Sequence, residues 1–123
     1  MNRTEEIELL EQLEQWNSKD EYSQCIQAIE AIPEQERGYL LTVKLSRAYS
    51  NLAVLGDHGV HGTDGEVDGD LIRHAIDLLE SVRTQGENDP YWNSRMGYSC
   101  LMAYRSAATA YEYAKCWLAL APD

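Results

Sequence analysis

The sequence has no phenylalanine, only three cysteines, and no apolar run long enough for a signal peptide or a membrane span. We therefore expect a cytoplasmic protein that does not enter a membrane. The cysteines Cys25, Cys100 and Cys116 are widely spaced, and each lies in a helical apolar pattern. This spacing matches neither a metal site nor a disulfide framework, so we predict small buried hydrophobic residues in a reducing compartment.

Basic residues are also scarce, since ten lysines and arginines stand against 21 aspartates and glutamates and the net charge is −11. Such a surface repels phosphate backbones and anionic lipid, which argues against nucleic acid and membrane partners. A basic or neutral protein or peptide is the better candidate. The chain contains no GxSxG elbow, P-loop or HExxH string. We therefore predict that the protein is not an enzyme and uses no cofactor.

What the sequence does contain is helical periodicity. Its 123 residues, 44% of them hydrophobic, indicate one domain with one continuous core. Apolar residues recur at steps of three and four in six segments, and no segment alternates as a strand does. The pattern predicts an all-α fold of three antiparallel hairpins over about residues 4–33, 36–85 and 90–121.

Capping signals predict where several helices begin and end. Ser18 and Glu21 have the spacing of a capping box and predict the start of the second helix. The Asp89–Pro90 pair predicts the start of the fifth helix. Gly56 predicts the end of the third. From Gly56 to Gly69 the chain reads GDHGVHGTDGEVDG, which predicts a glycine-rich loop inserted in the second hairpin.

This loop supplies the one ligand-like cluster in the sequence. The candidate metal ligands are His58, His61, Asp64 and Asp68. From Asp64 onward the spacing follows the first positions of a calcium loop, but Ala75 stands where the bidentate glutamate should be. We therefore predict a solvated acidic loop without a bound metal. A metal-dependent sensor or enzyme built on residues 57–70 is the alternative from another functional class.

Two of the hairpins resemble the tetratricopeptide repeat, a helical hairpin that stacks into solenoids. In the last hairpin the matching residues are Trp92, Met96, Gly97, Ala110 and Pro122. In the middle hairpin they are Leu45, Ser46, Tyr49, Ala75 and Leu79. The first hairpin keeps only Ala28 and Pro33. The string DPYWNSRMGY is similar to a bacterial variety of this family, in which the repeats form the amino-terminal part of a longer chain.

The resemblance implies a right-handed superhelical array, a tetratricopeptide-like α-solenoid, that acts as a protein-interaction module. In such arrays the first helix of each hairpin lines a concave groove that binds a peptide or a partner protein. The groove residues implied here are Leu40, Val43, Arg47, Asn51, Tyr91, Arg95, Tyr98, Leu101 and Met102. Arg47, Asn51 and Arg95 are the polar residues suited to hold a peptide backbone or a carboxylate. The alternative is that the two arginines only pair with neighbouring acids.

A second alternative concerns the last hairpin. The sequence shows no polar helix to cover its outer face, which carries Ala107, Ala114 and Leu118. That face then serves self-association, as in a homodimer, or the docking of a missing C-terminal domain.

Overall fold

A computed structural model describes residues 1–59, 66–105 and Leu118. In this part of the chain all regular elements are helical and no strand occurs, so the predicted all-α class is confirmed there. The α-helices are α1 (Arg3–Ser18), α2 (Tyr22–Glu30), α3 (Gly38–Leu55), α4 (Gly69–Ser81), α5 (Arg83–Gly86) and α6 (Pro90–Ala103). The predicted sixth helix, over 106–121, lies outside the described residues apart from Leu118, which is exposed.

Helix α3 is the centre of the fold because it is apolar on two sides. One side packs against α1 and α2 in a first cluster of buried residues, made of Leu13, Cys25, Ile29, Leu41, Leu45 and Ala48. The other side packs against α4 and α6 in a second cluster, made of Val43, Ala53, Val67, Ile72, Ile76, Leu79, Trp92, Met96, Cys100 and Ala103. Burial of these side chains is the main favourable term in folding. The two clusters share α3, so the helices form one continuous packed unit.

Helices α3 and α4 lie in direct contact although the glycine-rich loop separates them in sequence. Ser46 is fully buried, and its Oγ donates a hydrogen bond to the Ala75 carbonyl at 2.7 Å. Both side chains are small, which lets the two backbones approach closely. The contact satisfies a buried hydroxyl that would otherwise cost free energy. Helices α3 and α4 are therefore packed directly against each other.

Two of the predicted helix ends agree with the structure. Gly56 follows α3 with φ at 73°, in the left-handed region that favours glycine. The Asp89 side chain caps α6, and Pro90 is its first residue. By contrast, α4 ends at Ser81, earlier than its pattern predicts. Val82 leaves the helical conformation before the short α5 begins.

The predicted capping box at the start of α2 is wrong. Helix α1 continues through Ser18, whose Oγ donates to the Gln15 carbonyl at 2.8 Å. Glu21 precedes α2 without making a side-chain cap bond. The acceptor comes instead from beyond α3, since the Asp57 carboxylate accepts the Ser23 N–H at 3.0 Å. A residue distant in sequence thus caps α2.

The turn between α5 and α6 is packed around Trp92. This side chain is fully buried, and its Nε1 donates to the Leu79 carbonyl at 2.9 Å. Gly86 lies against the face of the indole ring. A Cβ atom at Gly86 would stand only 2.3 Å from Cγ and Cδ1 of Trp92. Glycine is therefore required at this position because the Trp92 ring leaves no room for a Cβ atom, and not because of the backbone conformation.

The described cysteines differ from one another. Cys25 is free and buried, and burial raises the pKa of its thiol. Cys100 is fully buried and disulfide-bonded, which corrects the prediction of reduced, unpaired cysteines. Wide spacing in sequence did not reveal this bond because the fold, and not the separation along the chain, sets the distance between two Cα atoms.

None of the helices in the described part of the chain combines the length and the hydrophobicity that crossing a bilayer requires.

Candidate functional site

Polar side chains link α1, α3 and α6 across one surface, which we call the α1–α3–α6 face. Its residues are Glu14 and Asn17 from α1, Lys44, Arg47, Ser50 and Asn51 from α3, and Tyr91, Arg95 and Tyr98 from α6. On α3, the steps from Lys44 to Arg47 and from Arg47 to Asn51 follow the helical repeat and place these three side chains on one side. Five of the nine predicted groove residues, namely Arg47, Asn51, Tyr91, Arg95 and Tyr98, belong to this face.

Glu14 joins α1 to α3. Its carboxylate accepts from Lys44 Nζ at 2.9 Å and from Arg47 Nη1 at 3.0 and 3.1 Å. Partial burial raises the pKa of the Glu14 carboxyl. The hydrogen bond from Lys44 and the charge of Arg47 outweigh that effect and hold the pKa below its ordinary value. Arg47 therefore does pair with a neighbouring acid, as the alternative interpretation of the sequence supposed.

Arg95 joins α6 to α3 through neutral groups. Its Nη2 donates to Ser50 Oγ at 2.6 Å and to Asn51 Oδ1 at 3.2 Å. Its guanidinium carbon lies 4.6 Å from the centre of the Tyr98 ring, a cation–π distance. In the part of the chain that the structure describes, no carboxylate pairs with Arg95. It differs in this respect from Arg47.

Several buried donors on this face have no hydrogen-bond partner among the described residues. They are the Nε atoms of Arg47 and Arg95 and the hydroxyl of Tyr91. Arg47 is only 8% exposed. Burial is the main cause that lowers the pKa of Arg95, and the nearby positive charge of Arg47 acts in the same direction. Buried donors of this kind are normally satisfied.

The charge of the α1–α3–α6 face is opposite to that of the whole chain. Lys44, Arg47 and Arg95 are three of the ten basic residues, while the net charge of the chain is −11. One carboxylate, that of Glu14, contacts this group within the described residues. Three positive charges against one negative charge leave two that no described carboxylate compensates. The face can therefore attract an anionic group.

No protein-family model, curated protein or solved structure matches the chain. The geometry and charge of the α1–α3–α6 face thus provide the evidence for function.

The apolar residues predicted for the groove have different positions. Leu40 and Leu101 are each 41% exposed. Met102 is partly buried against the second cluster. Val43 is fully buried inside that cluster and is therefore not part of the surface, which makes its predicted place in the groove wrong. Leu40 and Leu101 are the two that remain accessible.

The sequence did not predict the roles of Glu14 and Lys44. Lys44 lies one residue after the predicted Val43 and three before Arg47, so helical spacing from Arg47 was a signal that could have found it. Glu14 had no such signal. It belongs to the first hairpin, where the repeat pattern is weakest, and it is one of many glutamates on α1.

The candidate metal ligands are not brought together in the described residues. His58 is exposed, and its backbone N–H donates to the Asp20 carbonyl at 2.7 Å. The Asp68 carboxylate caps α4, accepting two backbone N–H groups at 3.1 Å. His61 and Asp64 lie outside the described residues. Within residues 1–59, 66–105 and Leu118, no three His, Cys, Asp or Glu side chains form a group able to hold a metal ion.

Proposed function

We propose that the protein is a tetratricopeptide-like interaction module that binds a segment of a partner protein on the α1–α3–α6 face. This face draws on the first helix of each hairpin that the repeat pattern predicts. The contact between Ser46 and Ala75 supports the proposal, since these residues occupy the small positions of the repeat. The buried Trp92 and Met96 occupy large positions of the same pattern.

The observation that carries the proposal is Arg95, a cation with a buried Nε and no carboxylate partner among the described residues. Removing a charge from water costs free energy unless another group compensates it. Ser50, Asn51 and the Tyr98 ring compensate in part. A carboxylate from outside the chain would add a charge-assisted hydrogen bond, the strongest class available to a guanidinium group. We therefore expect the bound segment to contain an aspartate, a glutamate or a free carboxyl terminus.

The overall charge limits the rest of the partner. Because the chain has a net charge of −11, it repels a strongly acidic protein at long range. The best partner is thus a neutral or basic segment with one acidic anchor. Leu40 and Leu101, both substantially exposed, supply apolar area beside the charged residues.

Selection from a library of random peptides displayed with free carboxyl ends tests this function. Peptides retained by the wild-type protein would be measured by calorimetry against the wild type and against Arg95→Ala. We expect Arg95→Ala to weaken binding roughly tenfold or more, the usual effect of losing a hydrogen bond to a charged group. Arg105→Ala is the matched control, since it removes the same charge from an exposed residue just after α6.

Two results would count against the proposal. One is equal binding of the selected peptides by the wild type and by Arg95→Ala. The other is a selected set without enrichment of acidic residues or a carboxyl-terminal anchor.

A further inference from the structure

Glu14 already presents a carboxylate to two of the three cations on the α1–α3–α6 face. It reaches them from another helix, and its side chain is 52% exposed, whereas that of Arg47 is 10% exposed. Lys44 is also largely covered, at 17%. Packing thus holds Lys44 and Arg47 in place, while the carboxylate of Glu14 is exposed to solvent.

The contact between Glu14 and Arg47 leaves part of the guanidinium group unused. Both carboxylate oxygens approach the same nitrogen, Nη1, and Arg47 Nε stays buried without a partner among the described residues. A carboxylate that engaged two nitrogens in parallel would make the stronger, bidentate arrangement. Glu14 therefore leaves part of the hydrogen-bonding capacity of Arg47 unused.

We infer that Glu14 is a built-in competitor: an internal carboxylate that occupies Lys44 and Arg47 and weakens binding of a partner's acidic anchor to the same face. This inference rests on the proposed function. The partner's carboxylate binds beside Arg95, where Glu14 repels it and already occupies hydrogen-bond donors of Lys44 and Arg47. Glu14 in this way sets how acidic a segment must be before it binds.

The exposure of Glu14 makes this role physically reasonable. The Glu14–Lys44 pair is exposed, and such a pair contributes roughly 0–1 kcal/mol to stability. The Glu14–Arg47 pair is part-buried, but a ligand carboxylate that replaces Glu14 leaves no unpaired charge on Arg47. The glutamate side chain can rotate between staggered conformers into water. A ligand that makes better contacts with Arg47 can therefore displace Glu14 at little cost in free energy.

The test compares Glu14→Gln with the wild type. Its probe is a fluorescein-labelled peptide of serine and alanine that carries a single glutamate and has an amidated carboxyl terminus. We call this peptide the acidic probe, and the same peptide with glutamine in place of the glutamate serves as the uncharged probe. Fluorescence anisotropy gives Kd for each protein. We expect Glu14→Gln to bind the acidic probe about fivefold tighter, the factor that corresponds to the upper range for an exposed ion pair.

The control is Glu11→Gln. Glu11 is exposed on α1 one turn earlier, and it makes no ion pair within the described residues. This substitution removes the same charge without touching Lys44 or Arg47, so it reports the effect of net charge alone. Circular dichroism melting of both variants verifies that they are folded.

The outcomes distinguish the inference from the proposed function. Suppose that the wild type binds the acidic probe and that Arg95→Ala does not. If Glu14→Gln then binds the probe no more tightly than Glu11→Gln does, the competitor role is wrong and the binding face stands. An equal gain for the uncharged probe would also overturn competition by charge. If none of the proteins binds the acidic probe, the proposed function fails and the role of Glu14 fails with it.

Discussion

Replacing Gly86 by alanine should destabilise the protein, although helix propensity predicts the opposite. Alanine favours a helix over glycine by about 0.5–1 kcal/mol in a helix interior, and less at Gly86, which is the last residue of α5. The new Cβ would stand 2.3 Å from two atoms of the Trp92 ring. Carbon atoms pack at about 3.5–4 Å, so the ring or the backbone must move by roughly 1 Å or more.

The position of Trp92 makes such a shift costly. The ring is fully buried, and a shift of this size would break the 2.9 Å hydrogen bond from Nε1 to the Leu79 carbonyl. Overpacking typically costs about 1–3 kcal/mol and a lost hydrogen bond about 1 kcal/mol. After subtraction of the propensity gain, we expect Gly86→Ala to lower the free energy of unfolding by about 2–3 kcal/mol.

Urea unfolding followed by far-UV circular dichroism measures this loss. Gly59→Ala is a useful comparison because a Cβ atom there would meet no described atom within 4 Å, while the φ of Gly59 is +72°. Backbone strain alone should then cost about 1–2 kcal/mol. In a Trp92→Leu background the cost of Gly86→Ala should shrink, since the overlapping ring is gone. Unchanged or increased stability of Gly86→Ala in the wild-type background would refute the reasoning.

Two further predictions concern carboxylates that cap helices. Asp57→Ala removes the acceptor for the Ser23 N–H and should cost about 1 kcal/mol at neutral pH, measured by urea unfolding. Burial raises the pKa of Asp57, but hydrogen bonds from Ser23 outweigh it and leave the pKa below its ordinary value. The stabilisation is therefore complete above the unfolded-state pKa and disappears as the pH falls through the lower, folded-state value, so the wild type and Asp57→Ala should converge in acid. An equal difference at both extremes would contradict this assignment. Tyr39→Phe removes the hydroxyl that donates to Asp89, the largest cause of the lowered pKa of that carboxyl. The pKa of Asp89 should rise toward its ordinary value in an NMR titration, and an unchanged titration would show that the backbone N–H groups of α6 are sufficient.

Local signals predicted much of the helical structure. The apolar stripes on α3 and α4 consist of residues three and four positions apart, a spacing that can be recognised from the local sequence alone. The Asp89–Pro90 start of α6 and the glycine after α3 were correct for the same reason. The capping box at Asn2 and Glu5, which begins α1, also has a local signature and was overlooked.

Contacts between distant residues could not be predicted in this way. The pairing of Glu14 with Arg47 requires the relative positions of α1 and α3, and several glutamates on α1 were equally plausible partners before the fold was known. The disulfide at Cys100 likewise depends on the folded structure. Arg95 was predicted from the repeat pattern, but its lack of a carboxylate partner among the described residues is a property of the folded surface.

The cap on α2 has a consequence for folding during protein synthesis. Ser23 and Asp57 are 34 residues apart, so at about 5–20 residues per second the ribosome adds Asp57 roughly 2–7 s after Ser23. During that interval α2 lacks its acceptor, and nine residues are too few to form a stable helix alone. Helix α2 therefore gains this acceptor only after α3 and the residue after its end have been synthesised. The first hairpin is therefore expected to reach its full stability only when α3 is available to pack against it.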